Sequence, residues 1–246
     1  MTHPFDPALL LNGLTVNVDI DVLIGRHPGS DGPGGDAALV TLAERGIRRA
    51  VTASLRAALF DMATGNDEVL GRSDLLPVGA LDLRDPIGAR AELDRLTALG
   101  VVAVRLFPDE QGIEAGFPAV RHLARAATDL GLVILTGGDV RRFWQPLSGL
   151  DARVVFLDMH FYHLGDFLLI AADEPGFHTS TRLLTSPDAL ETVAAEVGAQ
   201  RLLFGSRSPM YEPLVPMLRL ATSDLTTVDK ELVAGGNAYR LLGLSR

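Results

Sequence analysis

The feature that most constrains this 246-residue sequence is a repeat of pattern without a repeat of letters: a short apolar run, an amphipathic run, then a glycine. Apolar runs of strand length fall at 15–25, Arg49–Ser54, 76–81, 101–107, 132–136, 153–159, 177–183 and 201–205. Helical periodicity fills the gaps at 36–45, 66–72, 87–99, 117–130, Val140–Leu147, 164–172 and 187–197, and further helices close the chain. Within 164–172 the stretch 167–172 also reads as a strand. Asp36 and Asp85-Pro86 suit helix starts, and Gly46 and Gly100 suit helix stops. Eight strands alternating with seven or eight helices, with no Pro-, Ser- or charge-rich boundary, predict an α/β fold, a (β/α)₈ TIM barrel in one domain over 1–246. A doubly wound sheet is the competing reading. It would place Gly-x-Gly-x-x-Gly after the first strand, where the chain has Gly25-Arg-His-Pro-Gly.

Composition excludes several classes of function. With 47% hydrophobic and 22% charged residues the chain can bury a full core. There is no cysteine, so a metal would need His, Asp or Glu. The net charge of −9, with no Lys/Arg cluster standing clear of acids, argues against nucleic acid, and with Lys230 the single lysine nearly all positive charge is arginine. No long apolar run and no signal-like N-terminus is present, so the expected setting is cytoplasmic with no membrane contact. The Gly/Pro-rich stretch 25–35 reads as a mobile or ligand-covering segment.

The first strand alternates Asn17, Asp19 and Asp21 with Val16, Val18, Ile20 and Val22. In a barrel this places the apolar row against helices and the polar row inside, near the C-terminal end where barrel active sites are built. Two carboxylates on one face would stand roughly 7 Å or less apart, and Arg105 or Arg207 nearby would hold both ionised. Strand ends contribute further polar groups: Ser54, Asp82, Arg105, Asp139, His160 with His163, Thr179 with Thr181, and Ser206 with Arg207. One reading of this ring is an ion network that only neutralises itself. The other is an acid–base site in which arginine binds an anionic group. His160 and His163, at i and i+3 in a loop, read either as hydrogen-bonded structural groups or as site residues. Trp144 reads as helix packing.

Four stretches resemble the amidohydrolase-related family, in the branch of the metal-dependent hydrolases that holds aminocarboxymuconate-semialdehyde decarboxylase-like enzymes. They are the first strand into Ile24-Gly25, Gly100-Val-Val-Ala-Val-Arg-Leu-Phe-Pro108, Arg201-Leu-Leu-Phe-Gly-Ser-Arg-Ser-Pro209 and Gly236-Asn-Ala-Tyr-Arg-Leu-Leu-Gly243. The resemblance implies a (β/α)₈ barrel. It also implies a metal site that this chain has altered. The family's Asp-x-His-x-His corresponds to Asn17, Asp19 and Asp21, its strand-five histidine to Leu135, and the aspartate of its Phe-Gly-Ser-Asp to Arg207. His160 alone stands where a family histidine would. No zinc site is expected from this set, and Arg207 opposes Mg²⁺ on Asp19, Asp21 and Asp139.

The expectation is a metal-independent enzyme without cofactor, acting on a small anionic or carboxylated molecule by hydrolysis or by a lyase or isomerase step. Asp19 or Asp21 would be the base, with Asp139 as a second candidate, and His160 the proton donor. Arg105 and Arg207 would anchor the anion, with Asn17, His163 and Ser206 lining the site. The alternative is a catalytically inactive barrel that binds a ligand or a partner protein. A homodimer is compatible with either.

Overall fold

The computed structural model describes residues 7–11, 13–28 and 36–245. Most of the Gly/Pro-rich stretch, residues 29–35, lies outside them, and with it the expectation of a mobile or ligand-covering segment.

Short strands that are apolar on both faces can only be satisfied between two packed layers, and all of these pair in parallel. They are β1 (Val18–Ile24), β2 (Arg49–Ser54), β3 (Leu76–Pro77 and Gly79–Leu81, interrupted at Val78), β4 (Ala103–Leu106), β5 (Val133–Thr136), β6 (Val154–Phe156), β7 (Phe177–Ser180) and β8 (Leu202–Leu203). The Val78 amide donates to the Thr52 carbonyl at 2.9 Å and bridges the break in β3. The ring closes between β8 and β1, where the Ile20 amide reaches the Phe204 carbonyl at 3.0 Å and the Leu23 amide the Ser208 carbonyl at 2.9 Å. The result is the closed eight-stranded barrel that the repeat predicts.

Helices cover the outside. Pro86–Ala98 shows how sequence sets their limits: the Asp85 carboxylate caps the Gly88 amide, Pro86 occupies the first turn, and Gly100 turns the chain away at φ 81°. Residues 164–173 are helical, which removes the strand reading of 167–172.

Two apolar clusters divide the interior. One fills the barrel with Val18, Ile20, Val51, Ala103, Val133, Leu135, Val155 and Leu203. The closing helix Asn237–Leu242 adds Ala238, Leu241 and Leu242 to it. The other lies between strands and helices and takes Val16, Val22 and Ile24. Each fully buried Val, Ile or Leu contributes about 1.5–3 kcal/mol.

This partition corrects the expected facing of the first strand. Val18 and Ile20 point into the barrel, not against helices, because the β1–β2 register shifts between Asp19 and Val22. A bulge there reverses the alternation, so Asp19 and Asp21 face different sides.

Candidate functional site

The bulge turns Asp21 inward at the C-terminal end of β1, where it meets Arg105 from β4. Arg105 follows Ala103 by two residues and so shares its inward face. Its Nη1 donates to Asp21 Oδ1 at 2.7 Å, and its guanidinium lies 4.6 Å from the centre of the Phe107 ring. Two more arginines arrive from strand ends. Arg207 places Nε 3.5 Å from Asp21 Oδ2 and donates from Nη2 to Asp158 Oδ2 at 2.8 Å. Arg182, just past β7, has Nε 3.7 Å from Asp21 Oδ2 and donates from Nη2 to Asp158 Oδ1.

The cluster is deep. Asp21 is 0% exposed, Arg105 1%, Arg182 6% and Arg207 8%, while Asp158 opens slightly to the mouth. Burial alone would push the Asp21 carboxyl up, but Arg105, Arg207 and Arg182 outweigh it and hold it below the usual carboxylate range. Three guanidinium groups face two carboxylates, which leaves one positive charge in excess. Arg105 Nε and Nη2, Arg182 Nε, Arg207 Nε and Asp21 Oδ2 have no hydrogen-bond partner among the described residues. Such groups are costly to bury unless something satisfies them.

Backbone geometry supports the arrangement. Arg207 adopts φ 59°, in the left-handed region, and the Ser208-Pro209 bond that follows is cis. Gly137, at the end of β5, leaves room beside the ion pairs: a Cβ there would lie 2.9 Å from Asp158 Oδ2 and 3.9 Å from Arg207 Nη2. The Gly138 amide donates to the same Asp158 oxygen at 3.3 Å.

Asp19 belongs to a different arrangement. Its Oδ1 accepts from the amides of Asp21 (3.0 Å) and Ser206 (3.1 Å), and its Oδ2 from the Ser206 hydroxyl at 2.5 Å. No arginine holds it ionised; burial pushes its carboxyl up to about 7 against these hydrogen bonds. Ser206 accordingly serves Asp19 and the Ser208 amide, which it accepts at 3.0 Å. Asp19 clasps the barrel seam and cannot meet a ligand at the mouth as a base.

The other expected residues divide. Asn17 precedes β1 at the opposite, N-terminal end, beside a cavity of about 680 Å³ that Thr15, Lys230 and Tyr239 also line. It is thus remote from the cluster, because it stands one residue before the strand and its acids stand at or past the bulge. Asp139 caps helix Val140–Leu147 and pairs with Arg141 at 2.6 Å, which holds its carboxyl below the usual range. His160 is half-buried at the mouth and stacked on Tyr162, with ring centres 4.3 Å apart. Burial, His163 and Arg182 lower its imidazole pKa, so it is neutral near pH 7. His163 lies beside it, with ring centres 6.4 Å apart. Asp82 pairs with Arg84, and Ser54 caps the helix that follows β2.

Arg182 and Asp158 were missed by pattern reading. Both sit two residues past the last ladder residue of their strands, the same strand-end position that singled out the others. The apolar runs 153–159 and 177–183 outlast the strands, so these two read as strand interior.

A divalent cation does not fit this mouth. Three arginines converge where ligands would be needed, both carboxylates are engaged by them, and no group of three or more His, Asp or Glu stands together among the described residues.

Residues 23–244 match the amidohydrolase family. The chain belongs to the amidohydrolase family. No curated protein matches it in sequence. Solved structures share its fold at low identity. A putative 2-pyrone-4,6-dicarboxylic acid hydrolase from Pseudomonas putida is 18% identical, with TM-score 0.71 over 94% of this chain and 98% of that one. A dihydroxybenzoic acid decarboxylase from Polaromonas sp. JS666, solved with bound manganese and 2-nitroresorcinol, is 14% identical, with TM-score 0.74 over 94% and 98%. A 2,6-dihydroxybenzoate decarboxylase from Rhizobium is 17% identical, with TM-score 0.69 over 93% and 98%. At such identities the likeness establishes the TIM-barrel fold of this amidohydrolase. No helix among the described residues is long and apolar enough to cross a membrane.

Proposed function

We propose that this amidohydrolase holds a small carboxylated molecule at its arginine cluster and acts on it without a divalent metal. The observation that carries the reading is the excess buried positive charge with unpartnered guanidinium N–H groups at the C-terminal mouth. A carboxylate would supply both the missing charge and the missing acceptors, in the bidentate geometry that arginine favours. The relatives named above act on, or were solved with, carboxylated or phenolic rings, which agrees with a ligand of this class.

Among hydrolase, lyase and isomerase chemistry, the grip of the arginines favours a reaction that keeps the held carboxylate. Guanidinium groups stabilise that anion in the ground state, which slows its own departure as neutral CO₂; a bond elsewhere in the molecule carries no such penalty. Asp19 is enclosed at the seam and Asp139 is paired with Arg141, so proton transfer falls to the neutral imidazole of His160.

The inactive-barrel reading rests on one observation: Asp21 and Asp158 are both committed to arginines. Turnover separates the two. Chelator-treated protein incubated with carboxylated aromatic esters and lactones, followed by chromatography, is expected to convert at least one, with loss of conversion in Arg207→Met and His160→Gln. Ligand binding with no conversion of any would leave the inactive barrel.

A further inference from the structure

We infer that the site selects a ligand bearing a single negative charge and rejects a second anionic group. This rests on the carboxylate-binding reading above and specifies it. The buried core of the site has three guanidinium groups, from Arg105, Arg182 and Arg207, against the carboxylates of Asp21 and Asp158. One negative charge completes it. A second would have to be placed at the rim.

The rim is acidic. Asp109 and Glu110 follow β4 directly, in the short helix Pro108–Gln111, and both act electrostatically on the cluster: Glu110 on Arg105 and Arg207, Asp109 on Asp158. Arg142 acts on Asp109 from outside the cluster as an opposing cation, and burial, His163 and Arg182 lower the His160 imidazole pKa. Tyr211 stacks its ring 4.9 Å from the Arg182 guanidinium, and Tyr162 covers His160. A ligand whose carboxylate enters the cluster therefore extends past aromatic surface and two acids. An uncharged body suits that path, while a second carboxylate meets like charge at short range in a partly desolvated setting.

The test is calorimetric titration of the full chain with three probes built on one benzene ring: benzoate, isophthalate and benzamide. Benzoate is expected to bind, isophthalate to bind roughly tenfold or more weakly, and benzamide to give no saturable heat. In a variant carrying Asp109→Asn and Glu110→Gln, which stand at the rim and take no part in the buried ion pairs, the gap between benzoate and isophthalate is expected to close while benzoate still binds. Isophthalate binding as tightly as benzoate in the unmodified protein would overturn the single-charge inference and leave the carboxylate site standing. A gap that persists in the double variant would also overturn it. Failure of both anions to bind, with the protein folded, would overturn the carboxylate site itself.

Discussion

The Ser206 hydroxyl lies 2.5 Å from Asp19 Oδ2, and this contact joins the first strand of the barrel to the loop after the last. The same carboxylate accepts the amides of Asp21 and Ser206, so one side chain fixes the bulge that presents Asp21 and the turn that presents Arg207. Asp19 is a positioning residue: Asp21 follows it by two residues, and Arg207 follows its partner Ser206 by one.

Ser206→Ala removes the hydroxyl and leaves a buried carboxylate oxygen without its closest donor. The expected cost is about 1–3 kcal/mol in urea unfolding. Carboxylate affinity is expected to fall as well, since the Arg207 turn loses its anchor, and Ser206→Thr is expected to restore part of both. A variant as stable as the parent, with affinity unchanged, would contradict the clasp.

The pH dependence of stability follows from opposed groups. Asp19, raised to about 7 in the fold, binds its proton more tightly folded than unfolded; its contribution is present in full below the unfolded pKa near 3.9 and is lost as pH rises through about 7. It amounts to on the order of 4 kcal/mol at most. The difference in stability between the parent and Asp19→Asn is therefore expected to shrink between pH 4 and 7 and stay level above. His178 acts oppositely. Burial lowers it to about 4, so it is neutral in the fold, and stability is lost as pH falls from about 6.5 through about 4, by roughly 3 kcal/mol at most. An NMR titration that finds His178 near its ordinary pKa would contradict this.

Arg105 and Asp21 are both fully buried and paired at 2.7 Å. Arg105→Met strips Asp21 of its shortest ion pair among the described residues, with an expected loss of about 3–5 kcal/mol. Adding Asp21→Asn is expected to recover most of that loss. A double-mutant cycle in urea measures the coupling, and additive single losses would contradict the pairing.

At Gly137 an added methyl group meets Asp158 Oδ2. Gly137→Ala is expected to displace Asp158 from Arg207 and to weaken carboxylate binding more than it lowers Tm. An equal effect on both, or none, would show that the space beside β5 has no part in the site.

The barrel was legible because its periodicity is spread over eight strands and their helices, where a local error cannot change the topology. Asp21, Arg105 and Arg207 were legible for a related reason, since strand-end position and charge both point to them. The facing of Asp19 was not. Strict alternation places it beside Asp21, and only the bulge between Asp19 and Val22, a matter of pairing register, separates them. Asp158 and Arg182 were hidden because apolar residues continue beyond the ladder. Asn17 misled because a strand's polar face runs its whole length, while the site occupies one end.

The most direct test of the arginine-centred site is titration of benzoate into chelator-treated protein and into its Arg207→Met variant, with and without added manganese. Saturable one-site binding in the metal-free protein, lost in the variant and unchanged by manganese, is the predicted result. Binding that requires manganese, or that survives the loss of Arg207, would contradict it.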